Sequence, residues 1–465
     1  MSLLPAVART VADPTRHTPH RARPLPVSWL PIAVVVCAFL FPGNFVLPGP
    51  LNSNGSPARL FSLLCLGLAV LTLVTSRRRR SDEDEPRWSL VGGALVLYLA
   101  GATWSYGVAV SRPLDAAQSA GALRSLVGAL GITGVALYTW FVVTQRRDVD
   151  RVVGWIVACA TFSVLVAAAS WLGVVNWASL VRATPLVENT PTLGTVSRLD
   201  FLRARGTGEH PLEFSLATTA ALPLAVHLAR HAATAGRRWA AGFASLVLVV
   251  GVPLAVSRTA VLGLAVGGVI AVSIWPLAQK AAAVAVAGLG VLLMFVLVPT
   301  LTSSLALIFS DAEQDNSVTG RLSDYALVEQ LFRENPVLGL GSGVYRPETG
   351  GVYLDNTWLG TLIGGGAVGV ALLALLFLVA GGVAWDRSVL AADAADRSLN
   401  RALLAVLAVV LMGAFTSDLT SFPQPTLVFT IVLGLLASRA GARTRPSTLE
   451  ATARPHVRPA PGSHP

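Results

Sequence analysis

The chain of 465 residues is 53% hydrophobic and only 13% charged, with a mean hydropathy of +0.64, whereas a soluble domain carries about a quarter charged residues. This excludes a water-soluble globular protein and indicates an integral membrane protein. The net charge of +10 does not indicate nucleic acid, because the arginines sit in short connectors beside apolar runs, without the interleaved aromatics on which bases stack.

The first residues, 1–27, are rich in Pro and Arg and poor in apolar side chains, which predicts a disordered N-terminus. Apolar runs of membrane length then begin near Ser28, Arg59, Trp88, Leu123, Val152, Pro211, Trp239, Thr259, Ala281, Thr357, Ala402 and Thr426. The first follows a basic stretch without a convincing cleavage site and reads as an uncleaved anchor. The predicted fold is an all-α polytopic bundle of about 12 transmembrane helices over residues 28–440, followed by a disordered tail at 441–465. Cys37, Cys65 and Cys159 fall inside apolar runs, so no disulfide framework and no metal-ligand spacing are present. No metal and no cofactor are expected.

Most of the 35 Lys and Arg residues lie in alternate connectors: the N-terminus, Arg77–Arg80, Arg146–Arg151, Arg230–Arg238, Lys280, Arg387–Arg401 and the C-terminal tail. By the positive-inside rule these face the cytoplasm, with both termini. The opposite set holds the two longest connectors, about 176–210 and 300–356, the second being a large extracytoplasmic loop between the ninth and tenth spans. In that loop, apolar residues at helical spacing from Arg321 to Asn335 predict an amphipathic helix, ended by Asn335-Pro336. The stretch Val337-Leu-Gly-Leu-Gly-Ser-Gly343 reads equally as a turn-rich return into the membrane or as a weak phosphate loop.

Several polar groups interrupt the outer connectors: Arg203-Ala-Arg205-Gly-Thr-Gly-Glu-His210-Pro211, Ser257-Arg258-Thr259, Gly320-Arg321 and Asp355-Asn356. A guanidinium at a span edge often only snorkels. Arginine also donates two parallel hydrogen bonds to phosphate and keeps its charge at any relevant pH, so Arg205, Arg258 and Arg321 are candidate diphosphate ligands. Asp355, His210 and Glu209 are candidate bases for activating a hydroxyl. Asp355 reads equally well as the cap of the following helix.

In these residues the chain resembles the O-antigen ligase and O-antigen polymerase family of bacterial glycan-assembly proteins. The resemblance rests on Arg205-Gly206 followed by His210-Pro211, Ser257-Arg258-Thr259, Gly320-Arg321 followed by Phe332, Asn335-Pro336, Gly339 and Gly341, and Asp355-Asn356 before a Gly-rich span. It covers about residues 60–440 and implies a metal-independent, inverting glycosyltransferase in the bacterial cytoplasmic membrane. Such an enzyme moves a glycan from a polyprenyl diphosphate carrier to a hydroxyl of a glycan, lipid or protein acceptor. The implied catalytic residues are Asp355, His210 and Arg258, and the implied substrate ligands are Arg205, Arg258, Arg321 and Asn356. Ligases of the family place a histidine where this chain has Asp355, which leaves polymerase and ligase both open. The expected partners are the lipid-linked donor, the acceptor and membrane lipids, with no nucleic acid. Two other readings stand beside this one: a flippase or transporter of lipid-linked oligosaccharide, and a noncatalytic scaffold for polysaccharide assembly. Transporters place ionisable groups near the bilayer midplane, and the interiors of these spans are nearly free of charge.

Overall fold

A computed structural model describes residues 29–77, 89–190, 197–198, 201–297, 316–347 and 354–438. Both expected disordered termini, the basic run after Arg77, and parts of the two long connectors expected on the outer side lie outside the described residues.

The described chain is a helical bundle with four two-residue strands. Each of the apolar runs read from the sequence forms a helix: α1 (Trp29–Leu40), α2 (Pro57–Arg77), α3 (Leu90–Val110), α4 (Ala116–Val142), α5 (Arg146–Trp171), α7 (Pro211–His231), α8 (Ala235–Leu254), α9 (Arg258–Val272), α10 (Leu277–Leu297), α12 (Thr357–Leu390), α13 (Ala394–Thr416) and α14 (Pro423–Ala437). Eight of them are long and apolar enough to cross a membrane, and α1, α9, α14 and the described apolar part of α10 are shorter. Two further helices lie in the connectors: α6 (Trp177–Arg182) and α11 (Asn316–Glu334). Strands β1 (Phe45–Val46) and β2 (Val187–Glu188) pair antiparallel, as do β3 (Ser197–Arg198) and β4 (Phe201–Leu202).

The centre of the bundle is α7, buried along nearly its whole length and packed by α5, α8, α9, α13 and α14. Its inner residues are small, including Ser215, Ala217, Thr218, Ala220, Ala221 and Ala225. Small side chains let helix backbones approach closely where lipid offers no hydrophobic driving force for association. The peripheral helices turn large apolar side chains outward, as at Leu90, Trp239, Leu277 and Leu378, the inverse of a soluble surface and suited to hydrocarbon.

The two ends differ. At one end, the first residues of α5 and α13 meet the last turn of α7. Arg146 pairs with Asp150 and Asp396 and contacts His227 Nε2 at 3.1 Å, while His227 Nδ1 lies 3.0 Å from Ser398 Oγ. The other end carries the long connectors, and the candidate site is there.

Candidate active site

At the connector-bearing end, segments distant in sequence are tied together by backbone contacts. Ala204 N–H donates to Leu254 O and Arg203 Nε to Ala255 O, both at 2.9 Å. The strand of chain that carries Arg205 is thereby docked on the turn that precedes Arg258. Within that turn Val256, β-branched and fully buried, has φ +47°, a left-handed conformation that costs such a residue about 1–3 kcal/mol. The turn is that tight because Ser257 already caps α9, its Oγ accepting Ala260 N–H at 3.4 Å, and Arg258 is the first helical residue.

The run from Arg205 to Glu213 is anchored from two sides. Gly206 has φ +55°, and a Cβ there would lie 2.4 Å from Ser163 Oγ, so no side chain fits. Thr207 donates its N–H to Ser163 Oγ at 3.1 Å, and Gln424 Nε2 donates to Thr207 Oγ1 at 3.2 Å. Glu213, 1% exposed, accepts Glu209 N–H at 2.9 Å on Oε2 and Gln424 N–H at 3.1 Å on Oε1. One carboxyl group thus clamps the first turn of α7 to the first turn of α14.

Glu209 itself folds back on the turn after α1, where the Gly43 and Asn44 backbone N–H groups donate to its carboxylate. Burial raises its pKa, against the opposing pull of those bonds and of Arg59. His210 Nδ1 accepts Leu212 N–H at 3.1 Å and caps α7, and its ring stacks on Phe422 at 5.7 Å between centroids. Burial, and then the charge of Arg203, lower the His210 pKa to about 4. The imidazole is therefore neutral at pH 7, with Nδ1 committed to the cap and the proton on Nε2. Burial also lowers the pKa of Arg205, reinforced by Arg182 and opposed by Glu188.

On the far side of the same end, Asp355 is exposed and Asn356 caps α12. Asn356 Oδ1 accepts Trp358 N–H at 2.9 Å and Leu359 N–H at 3.2 Å, while its Nδ2 donates to Phe415 O at 3.0 Å. Thr357 Oγ1 donates to Ser417 O at 2.8 Å and accepts Leu419 N–H at 2.9 Å. The mouth of α12 is thus fixed to the connector 417–422, whose other end carries Phe422 and Gln424 to the His210 side. The cap is Asn356, and Asp355 is left outside it.

The expected amphipathic helix is α11. Val328 is buried, Leu327, Leu331 and Phe332 are half-buried, and Arg333 pairs with Glu329 on the exposed side, although Tyr325 is also exposed. Arg321 belongs to α11, and its side chain lies outside the described residues.

The glycine-rich stretch that follows is a docking element. Leu340 N–H donates to Ile363 O at 2.8 Å and Gly341 N–H to Gly364 O at 2.9 Å, while Ala367 N–H and Val368 N–H bond back to Pro336 O and Val337 O. This exchange breaks α12 at Gly366, which has φ +61°. Irregular backbone inside an apolar helix survives only where protein satisfies its polar groups, and here the loop does so. Gly339 and Gly341, both at positive φ, have no room for a Cβ.

Of the candidates read from the sequence, the chain brings the connectors of Arg205, His210 and Arg258 together on one side, with Asp355 and Asn356 across the connector 417–422. Arg203, which stood in the sequence only as part of the 203–211 group without a role of its own, braces the turn before Arg258, and the pair Glu213 and Gln424 was not among the candidates. Glu213 had a visible signal, a carboxylate in the first turn of an apolar span; Gln424 had none.

Residues 243–374 match the family model described as O-antigen ligase. No curated protein matches the chain. The matched segment runs from within α8 to the first half of α12, contains Arg258, Arg321, the docking loop and Asp355, and supports glycan transfer at a membrane in general. Through residues 243–374 the chain is similar to the O-antigen ligase family.

Proposed function

We propose that the protein transfers a glycan from a polyprenyl diphosphate carrier to an acceptor hydroxyl at the outer face of the bacterial cytoplasmic membrane, with both termini in the cytoplasm. The observation that carries this reading is the docking of the 203–205 stretch on the 254–258 turn, which joins two arginine-bearing connectors from separate parts of the chain at one end. Arg205 and Arg258, with Arg321 from the loop, bind the diphosphate of the donor. As the bond from the anomeric carbon to the diphosphate oxygen breaks, charge grows on that oxygen, and the same arginines stabilise it.

Asp355 is the base. Its exposed carboxylate takes the proton of the acceptor hydroxyl while the hydroxyl oxygen forms the new bond to the anomeric carbon from the face opposite the leaving group, inverting configuration. His210, neutral and with Nδ1 held in the helix cap, serves as a hydrogen-bond donor through Nε2. Asn356 fixes Asp355 at the mouth of α12 and keeps one Nδ2 hydrogen for substrate.

The test is transfer of glycan from a purified polyprenyl-diphosphate donor by the protein in proteoliposomes. Arg258→Ala, Arg205→Ala and Asp355→Asn are each expected to lower turnover by about 100-fold or more, the scale of losing one transition-state contact. Parental rates in Arg258→Ala and Arg205→Ala would overturn the assignment, and movement of the intact donor across the bilayer without product would establish transport in its place.

A further inference from the structure

We propose that Arg59, Arg124 and Arg346 form a second anion-binding subsite, separate from the diphosphate arginines, that receives acidic groups of the acceptor glycan. The word acceptor rests on the function proposed above; the anion site itself rests on geometry and charge alone.

The three guanidinium groups form a row. Arg346 lies over the buried Gly121 of α4, where an added Cβ would stand 3.2 Å from Nε and 3.3 Å from Nη2. Arg124 is three residues further along α4 and so on the same face, one turn away. The charge of Arg124 acts on Arg59 in the first turn of α2. Arg59 Nη1 is held by Asn54 Oδ1 at 2.9 Å, which fixes the inner end of the row. The charge of Glu209 also acts on Arg59, and Glu209 is the neighbour of His210. The row therefore leads from the docking loop toward the candidate active site.

Among the described residues the charges in this row do not balance. Glu209 is the carboxylate that acts on it, and that carboxylate already accepts the Gly43 and Asn44 N–H groups. Among the described residues neither Arg124 nor Arg346 makes an ion pair, and both are exposed. Neighbouring cations without counter-charge repel one another and create a local positive potential that attracts anions. Guanidinium forks match carboxylate and phosphate oxygens two at a time. An arginine that only snorkels to headgroups needs no such row, and this one runs inward to Glu209. The ligand chemistry is therefore a carboxylate or phosphate on a sugar that enters between the outer ends of α2 and α4, and the row selects acidic over neutral acceptors.

The experiment uses the full chain in nanodiscs of phosphatidylcholine, with tetragalacturonate and the uncharged maltotetraose as probes in a direct binding titration. Tetragalacturonate is expected to bind and maltotetraose not, with affinity falling as salt rises. Arg124→Gln with Arg346→Gln, both exposed and away from the core, should weaken tetragalacturonate by about tenfold or more, the scale of losing charge-assisted hydrogen bonds. Arg258→Ala should bind tetragalacturonate as the parent does, so that failure of the transferase reading, seen as unchanged transfer by Arg258→Ala, is distinguishable from failure of this subsite. Equal binding by parent and double variant would overturn the proposal. So would the absence of tetragalacturonate binding by the parent; if phosphatidylglycerol added to the nanodiscs is then bound by the parent and not by the double variant, the row is a lipid headgroup site.

Discussion

Asn356 offers a direct test of how the mouth of α12 is built. Its side chain makes three contacts: two cap bonds to the N–H groups of Trp358 and Leu359, and one donated bond to Phe415 O in the last turn of α13. Asn356→Ala removes all of them. Loss of the cap costs about 1 kcal/mol and loss of the bond to Phe415 about another 1 kcal/mol, a total of about 2 kcal/mol. Asn356→Asp keeps an oxygen for the cap and adds a charge that the helix N-terminus favours, but it has no donor for Phe415 O, so its cost is about 1 kcal/mol. Asn356→Ser caps as well and likewise loses the Phe415 contact. Thermal unfolding of the detergent-solubilised protein, read by intrinsic fluorescence, should rank the parent first, the Asp and Ser variants together below it, and Ala last. In the transfer assay the Ala variant should lose turnover more than donor affinity, because Asp355 loses its fixed neighbour while the arginines are untouched. An Ala variant as stable as the parent, or an Asp variant less stable than Ala, would refute this account and return Asn356 to the role of a plain substrate ligand.

Three further outcomes follow from the same geometry. His210, with a pKa of about 4 in the folded protein against about 6.5 when exposed, binds fewer protons folded than unfolded between those values; stability therefore falls as pH drops from about 6.5 to about 4, and His210→Asn, which still caps α7 but does not titrate, should flatten that fall in a pH series of unfolding temperatures. Gly339→Ala places a Cβ 2.5 Å from Ile363 O at φ +70° and should cost about 2 kcal/mol or more, whereas Gly365→Ala, which meets nothing within 4 Å, should be neutral or slightly stabilising in the same melt. Thr357→Val leaves the buried Leu419 N–H without its acceptor at about 1–3 kcal/mol, while Thr357→Ser keeps both bonds and should melt near the parent.

The fold was legible because lipid imposes one rule, continuous apolar helix, and the apolar runs obey it. The expected starts at Pro211 and Thr357 coincide with the first residues of α7 and α12. The break at Gly366 was not legible, since a Gly-rich apolar run has the same hydropathy whether or not another segment enters it. The docking of residues 336–341 there uses backbone N–H and C=O groups, which carry no side-chain signature. The cap at α12 was assignable only to a pair, because Asp and Asn cap equally well and only the contact to Phe415 separates them. In the site, the arginines stood out as charges in an apolar sequence. Their bracing did not: Arg203 reaches the carbonyl of Ala255, and Gln424 reaches Glu213 across 211 residues.

Topology and electrostatics at this end have one origin. Helices α7, α9, α12 and α14 all begin here, capped or entered at His210, Ser257, Asn356 and Phe422, and α7 packs on both α9 and α14 while α13 packs on α9 and α12. Each helix N-terminus carries about half a positive charge on N–H groups without helical partners, and such ends bind anions without any cationic side chain. Alternation of direction along a polytopic chain places the N-termini of every second helix on one side, so backbone potential is positive on that side. The connectors add Arg205 and Arg258 to that side. A diphosphate would then be held by backbone dipoles as well as guanidinium groups, so replacing Arg258 with Lys, which keeps the charge but loses the fork, should retain donor binding better than turnover. Equal loss of both in Arg258→Lys would show that bidentate geometry governs binding itself.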